Sequence, residues 1–157
     1  MRIGVTGHMN ITPETADLVR AEILRLLAGQ DAADLVGVSC IARGADTVFA
    51  QAVLDAGGRL EVVIPSRDYR ERKVKPDHAQ AFDELVSRAT VVKVLDFDTA
   101  GADAYEAANN VIVGCDRLIA VWDGEGGERA GTGSVVAIAR DRGVPLSVVW
   151  PAGAERQ

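Results

Sequence analysis

Six short runs rich in Val, Ile and Leu recur along this chain, at residues 2–6, 35–41, 59–64, 90–95, 117–122 and 145–150, and a stretch of helical periodicity or a turn-rich segment separates each from the next. Runs of that length and composition favour extended backbone. Strands joined through helices lie parallel, because a parallel crossover needs about a dozen residues and a hairpin does not. The alternation therefore predicts an α/β fold, a three-layer Rossmann-like sandwich around a mainly parallel sheet of about six strands. Its 157 residues fit a single domain over 1–157, with no linker, repeat or low-complexity tract. Hydrophobic residues make up 48% of the chain but aromatics only 4%, so the core must be aliphatic, as in a sheet covered on both faces.

The helix signals are local. Thr12 and Pro13 start a helix over 13–28, with Val19, Ile23, Leu26 and Leu27 on one face and Gly29 after it. Residues 45–56 follow, closed by Gly57-Gly58, then 76–88, 103–114 and 132–142, with Gly143 as the last stop. The longest irregular pieces, 65–75, 96–102 and 123–131, each follow a strand. Ligands of open parallel sheets bind beyond that carboxyl edge.

Two of the strand-to-loop passages carry glycines suited to holding an anion. Leu118-Ile119-Ala120-Val121-Trp122-Asp123-Gly124 runs into Gly131-Thr132-Gly133-Ser134, a helix start that presents backbone N–H groups and two hydroxyls. Ile3-Gly4-Val5-Thr6-Gly7-His8 repeats that order at the beginning of the chain, where Thr6, Gly7 and His8 face the same task or form a tight turn capped by Asn10 or Thr12. After the second strand, Arg43 and Gly44 stand at a helix start, and Asp46 either complements the helix dipole or contacts a ribose or base. Tyr69 stacks on a base or packs on its own loop. Tyr105 and Asn109, four apart, share a helix face that is a ligand surface or simply polar. Trp122 is expected beneath its loop.

The formal charge of −6 weighs against a broad nucleic-acid or anionic-membrane surface, so no stable nucleic-acid partner and no membrane partner is expected. One segment runs against that sign: Arg67, Arg70, Arg72, Lys73 and Lys75 form a solvated loop or a basic flap over an anionic ligand. Cys40 and Cys115 are too few and too far apart for a metal cluster, and read as small buried residues in a cytoplasmic protein. No metal and no cofactor is called for. Phe82 and Leu85, placed on an exposed helix face, would favour a homo-oligomer.

Taken together, Gly4-Val5-Thr6-Gly7-His8, Arg43-Gly44-Ala45-Asp46, Cys115 through Gly124, and Gly131-Thr132 resemble the SLOG superfamily. That Rossmann-like group includes the lonely-guy phosphoribohydrolases and the DNA-processing protein A fold. The resemblance spans nearly the whole chain and implies a phosphate grip at Gly131 and Thr132, completed by Gly7 with Arg43 or Gly44. The lonely-guy pattern places a catalytic glutamate shortly after Gly-Thr, where this chain has Gly133, Ser134, Val135 and Val136. The final third is similar to nucleoside deoxyribosyltransferases, which also carry a glutamate there. Without it, the oxocarbenium-like transition state of N-glycosidic cleavage lacks its carboxylate unless Asp123, Asp46 or Glu128 supplies one.

The leading expectation is thus binding of a nucleotide or nucleotide-derived phosphorylated small molecule through Thr6, Gly7, His8, Arg43, Gly44, Asp46, Tyr69, Asn109, Gly124, Gly131, Thr132, Gly133 and Ser134. The alternative is a nucleoside 5′-monophosphate phosphoribohydrolase or N-glycosidase with Asp123 as the catalytic carboxylate.

Overall fold

The computed structural model describes residues 1–126 and 131–157. Six strands, β1 (Arg2–Gly7), β2 (Val36–Ser39), β3 (Arg59–Ile64), β4 (Val91–Val94), β5 (Arg117–Val121) and β6 (Leu146–Val149), form one sheet in the order β4-β3-β2-β1-β5-β6. Every neighbouring pair is parallel. The helices are α1 (Pro13–Leu27), α2 (Ala45–Asp55), α3 (Tyr69–Lys73), α4 (Pro76–Arg88), α5 (Ala102–Val113) and α6 (Thr132–Asp141).

Alternation along each strand sorts the core into two layers. Ile3 and Val5 of β1 meet Val19, Ile23, Phe49 and Val53 of α1 and α2. Val38, Val63 and Leu118 face the other way, onto Ile112, Val135 and Ala139 of α5 and α6. Each fully buried aliphatic side chain contributes about 1.5–3 kcal/mol, so an aliphatic core suffices despite the scarcity of aromatics. Glycines in the strands let helices close in. A Cβ on Gly4 would stand 2.6 Å from the Ile112 carbonyl, and one on Gly37 2.6 Å from a Val53 methyl.

The capping residues act as their chemistry dictates. Thr12 Oγ1 accepts the Thr15 N–H at 3.1 Å, and Gly57 (φ 85°) and Gly143 (φ 68°) adopt the left-handed conformation just beyond α2 and α6. The segment 65–75 is not wholly irregular, because it contains α3. Its Arg67 is held by Asp96 and Asp98 and its Arg70 by Asp83, so those two guanidinium groups already have carboxylate partners.

Phe82 and Leu85 do not lie on an exposed face. Both are 2% exposed and pack with Leu60, Val62 and Tyr69, because the apolar stripe of α4 turns inward. Exposed apolar side chains lie elsewhere, among them Val91, Val92 and Val94 of the edge strand β4. Among the described residues, no helix is long and apolar enough to cross a membrane.

Candidate functional site

The order of strands reverses at β1, with β2 on one side and β5 on the other, and a crevice opens beyond the carboxyl ends of such a pair. Gly7 is in register with Val121, so the loop after β1 and the loop after β5 leave the sheet side by side. This brings Thr6, Gly7 and His8 to the same rim as Asp123 and Gly124. Gly131, Thr132, Gly133 and Ser134 join them, since a Cβ on Gly133 would stand 2.5 Å from the Gly126 carbonyl oxygen. Gly124 (φ 88°) and Gly126 (φ 95°) turn the chain there.

The glycines differ in what they do. Gly7 has no room for a side chain: its Cβ would meet Ala45 Cβ at 2.5 Å and Val121 Cβ at 2.8 Å. Gly44 (φ 81°) is pressed against the His8 and Met9 carbonyls, each 2.6 Å from where its Cβ would sit. Both therefore lock α2 onto the end of β1. The Ala45 N–H donates to the His8 carbonyl at 3.1 Å, so the first turn of α2 is partly occupied by the protein's own backbone. Arg43 is exposed beside it.

His8 is buried at the crevice floor, edge-on to Trp150 with ring centroids 5.6 Å apart. Its Nε2 accepts the Asp123 N–H at 3.1 Å. Burial first, and then the nearby Arg156 guanidinium, push the imidazole below its ordinary pKa, which favours the neutral ring, and the hydrogen bond from the Asp123 N–H selects the tautomer whose proton is on Nδ1. Asp123 accepts the Glu125 N–H at 2.9 Å, which holds its carboxyl below the usual range, with the Arg156 guanidinium adding to the effect. Arg156 Nη1 lies 3.4 Å from Asp123 Oδ2 and its Nε donates to Asn10 Oδ1. Asp123 is thus an ionised, multiply held carboxylate, unsuited to donating a proton.

Residues 151–157, which carried no expectation, complete this rim with Trp150, expected at the end of the last strand and lying just beyond it. The Gln157 N–H donates to the Asn10 carbonyl at 2.7 Å and the Thr12 N–H to the Glu155 carbonyl at 3.4 Å, which covers the start of α1. No periodicity signals an irregular tail of this kind.

Beyond β2, the loop is strained. Ile41, β-branched and fully buried, has φ 46°, a conformation that costs about 1–3 kcal/mol. Ser39 Oγ accepts its N–H and its carbonyl faces His78 Nε2, both at 3.0 Å. Asp46 Oδ2 accepts the Ala42 N–H, and burial pushes the carboxyl up to about 7. Tyr69 is buried, its ring against Phe82 and Tyr105, so packing accounts for it. Cys115 is buried and Cys40 half-buried; both are free thiols whose ionisation burial opposes. Trp122 sits under its loop, donating from Nε1 to the Glu125 carbonyl at 2.8 Å, with Arg140 over its ring. Glu128 lies outside the described residues.

On the opposite face of the sheet, a groove of about 200 Å³ runs between α5 and α6, lined by Glu106, Asn109, Asn110, Ser134 and Ile138. Asn109 and Ser134 thus share one surface. α6 itself begins at Gly131 with no side-chain cap and no acidic residue in its first turn. The other helices that begin at this rim differ: α1 has its Thr12 cap, α2 has Asp46 and α5 has Asp103 in the first turn.

Strand order, all-parallel pairing and the switch-point rim define a Rossmann-like fold. No family model and no curated protein matches the sequence. Solved structures do match in fold. DNA processing protein A from Streptococcus pneumoniae is similar at TM-score 0.73 and 21% identity, over 97% of this chain and 51% of that one. The chain thus spans about half the length of that protein. DNA processing protein A from Helicobacter pylori, described for its single-stranded DNA binding mode, is similar at TM-score 0.69 and 18% identity, over 99% of this chain and 68% of that one. The Moco carrier protein of Chlamydomonas reinhardtii is similar at TM-score 0.60 and 18% identity, over 94% of this chain and 75% of that one.

These likenesses correct the expectation that nucleic acid is excluded as a partner. A protein that binds single-stranded DNA shares this fold over nearly the whole chain. Net charge averages over the surface, whereas phosphate recognition is set by local N–H groups and a few side chains.

Proposed function

We propose that this chain binds a nucleotide unit, free or within a single strand, with its phosphate at the N-terminus of α6. The observation that carries the reading is the first turn of α6, a helix start at the switch-point rim rich in glycine and hydroxyl groups. Gly131-Thr132-Gly133-Ser134 brings backbone N–H groups and two hydroxyls to that turn, which among the described residues has no side-chain cap and no acidic residue. Unsatisfied N–H groups at a helix start favour an anion, and the dipole adds typically 0.3–1 kcal/mol. Thr6 projects onto the face of the sheet that α6 covers, as Gly4 does two residues earlier. Arg43 and Arg156 supply positive charge near the loops after β2 and β1. Nucleotide-related binding also agrees with the neighbours in fold, which include a single-stranded DNA binder and a cofactor carrier.

A nucleotide panel read by thermal shift tests this, with nucleoside mono- and diphosphates, inorganic phosphate and a short oligodeoxythymidine. Ligand at about 100 times Kd stabilises by about 2.7 kcal/mol, a shift of several degrees for a domain of this size. Thr132→Val with Ser134→Ala should reduce the shift. No stabilisation by any phosphorylated compound at millimolar concentration would refute the reading. The hydrolase alternative has a separate readout, release of free base from a nucleoside monophosphate, and the ionised state of Asp123 allows it as a charge stabiliser, nucleophile or general base but not as the acid.

A further inference from the structure

We propose that two copies of this chain join edge to edge through β4, antiparallel about a two-fold axis, so that their sheets become continuous. β4 ends the sheet order, and among the described residues no strand lies on its outer side. Exposed sheet edges are normally blunted by charge, proline, a bulge or a covering element. Here Val91, Val92 and Val94 are 47%, 40% and 47% exposed, and Lys93 is the one charge within the strand.

The ladder shows which backbone groups point outward. Leu95 N–H donates to the Ile64 carbonyl at 2.9 Å, and Ile64 lies opposite Val94. Backbone groups along a strand turn alternately to its two sides, so Val91, Lys93 and Leu95 serve β3 while Val92 and Val94 present N–H and C=O to the open edge. Thr90 N–H is taken by the Leu60 carbonyl, and its own carbonyl turns outward with those of Val92 and Val94.

Two registers make equal use of these groups. In one, Val92 pairs with the partner's Val94, which sets Lys93 directly across from the partner's Lys93, and like charges so placed destabilise the pairing. In the other, Val92 pairs with the partner's Val92, and each Val94 N–H reaches the partner's Thr90 carbonyl. Lys93 then stands opposite the partner's Val91 and lays its stem along that side chain. Arg88 and Asp96 are each four positions from Val92, on opposite sides of it, so each Arg88 comes level with the partner's Asp96. Arg88 ends α4, and the backbone is already extended at Ala89. Both charges have capacity to spare: the Arg88 guanidinium is 3.9 Å from Glu84 of its own helix, and Asp96, beside Arg67, is 99% exposed. This doubled match favours a second copy over a foreign strand, which would find the same backbone groups but not the reciprocal charges.

Sedimentation velocity on the intact protein, from about 5 to about 500 μM, tests this, since so short a contact gives a dimer of micromolar rather than nanomolar Kd. Arg88→Glu and Asp96→Arg, each with its melting curve checked, should each weaken the dimer by about tenfold or more, because both cross-strand pairs become like-charged. Mixed in equal amounts, the two variants regain both opposite-charge pairs in a heterodimer, and association should return to within about threefold of the parent's. Val92→Cys should form an intermolecular disulfide on mild oxidation, faster than Val94→Cys and above the parent's own background from Cys40 and Cys115. The Cα atoms of a hydrogen-bonded antiparallel pair lie about 5.5 Å apart, within the span of that bond. A parent that stays monomeric to about 500 μM leaves the edge to some other strand and overturns the proposal. So does a dimer indifferent to both charge reversals, a mixture no better than its components, or equal cross-linking through Val92→Cys and Val94→Cys.

Discussion

Asp46→Asn is the perturbation whose outcome is most closely fixed by the structure. The Asp46 carboxyl sits in the first turn of α2, and burial pushes it up to about 7 from an ordinary value of 3.8, although the Ala42 N–H pulls the other way. Between pH 4 and 7 the unfolded chain gives up a proton that the folded chain keeps. The folded state then binds more protons, so stability falls as pH rises through this window and is level above it. Each tenfold difference in proton affinity is worth 1.36 kcal/mol, which over roughly three decades sets a ceiling of about 4 kcal/mol. The side chain retains some access to water, and about 2 kcal/mol is the expected net effect. Asparagine keeps the shape, can accept the Ala42 N–H through Oδ1, and does not ionise. Urea unfolding followed by the fluorescence of Trp122 and Trp150 should show Asp46→Asn about 2 kcal/mol more stable than the parent at pH 8 and indistinguishable from it at pH 4. An equal difference at both pH values, or a loss at pH 8, would show that burial of the charge is not what governs this residue.

Gly7→Ala should cost about 1–3 kcal/mol in denaturant unfolding, because its new methyl is caught between Ala45 and Val121; an unchanged midpoint would mean that α2 slides away freely. Thr12→Ala should cost about 1 kcal/mol by removing the acceptor for the Thr15 N–H, and Thr12→Ser should recover most of it in the same assay. Arg156→Ala removes a cation that depresses His8, so an NMR titration of the two histidines should show the His8 pKa moving upward. A downward or absent shift would refute the placement of that guanidinium.

What could be read in the sequence was what local chemistry controls. β-branched runs fixed the six strands to within a residue or two at most ends, Thr12 capped its helix, and Gly57 and Gly143 closed theirs. α3 escaped because five residues dense in Arg, Glu and Lys have no apolar period to display. Phe82 and Leu85 were misplaced for a tertiary reason: helical spacing locates a stripe but not the layer that covers it, and here Tyr69 and β3 do so. The glycine loops were legible as loops, yet Gly7 and Gly44 owe their identity to how closely α2 approaches β1, a distance no local pattern encodes.

The placement of β1 shapes how the molecule comes into being. This opening strand is zipped on one flank by β2, soon after it emerges from the ribosome, but its other flank stays bare until β5 arrives more than a hundred residues later. Contacts so distant in the chain slow folding. Until then, that flank is an open template for other strands. Substitutions that delay β5, such as a proline at Ile119, should therefore lower the yield of folded protein during synthesis more sharply than their effect on the finished fold would suggest.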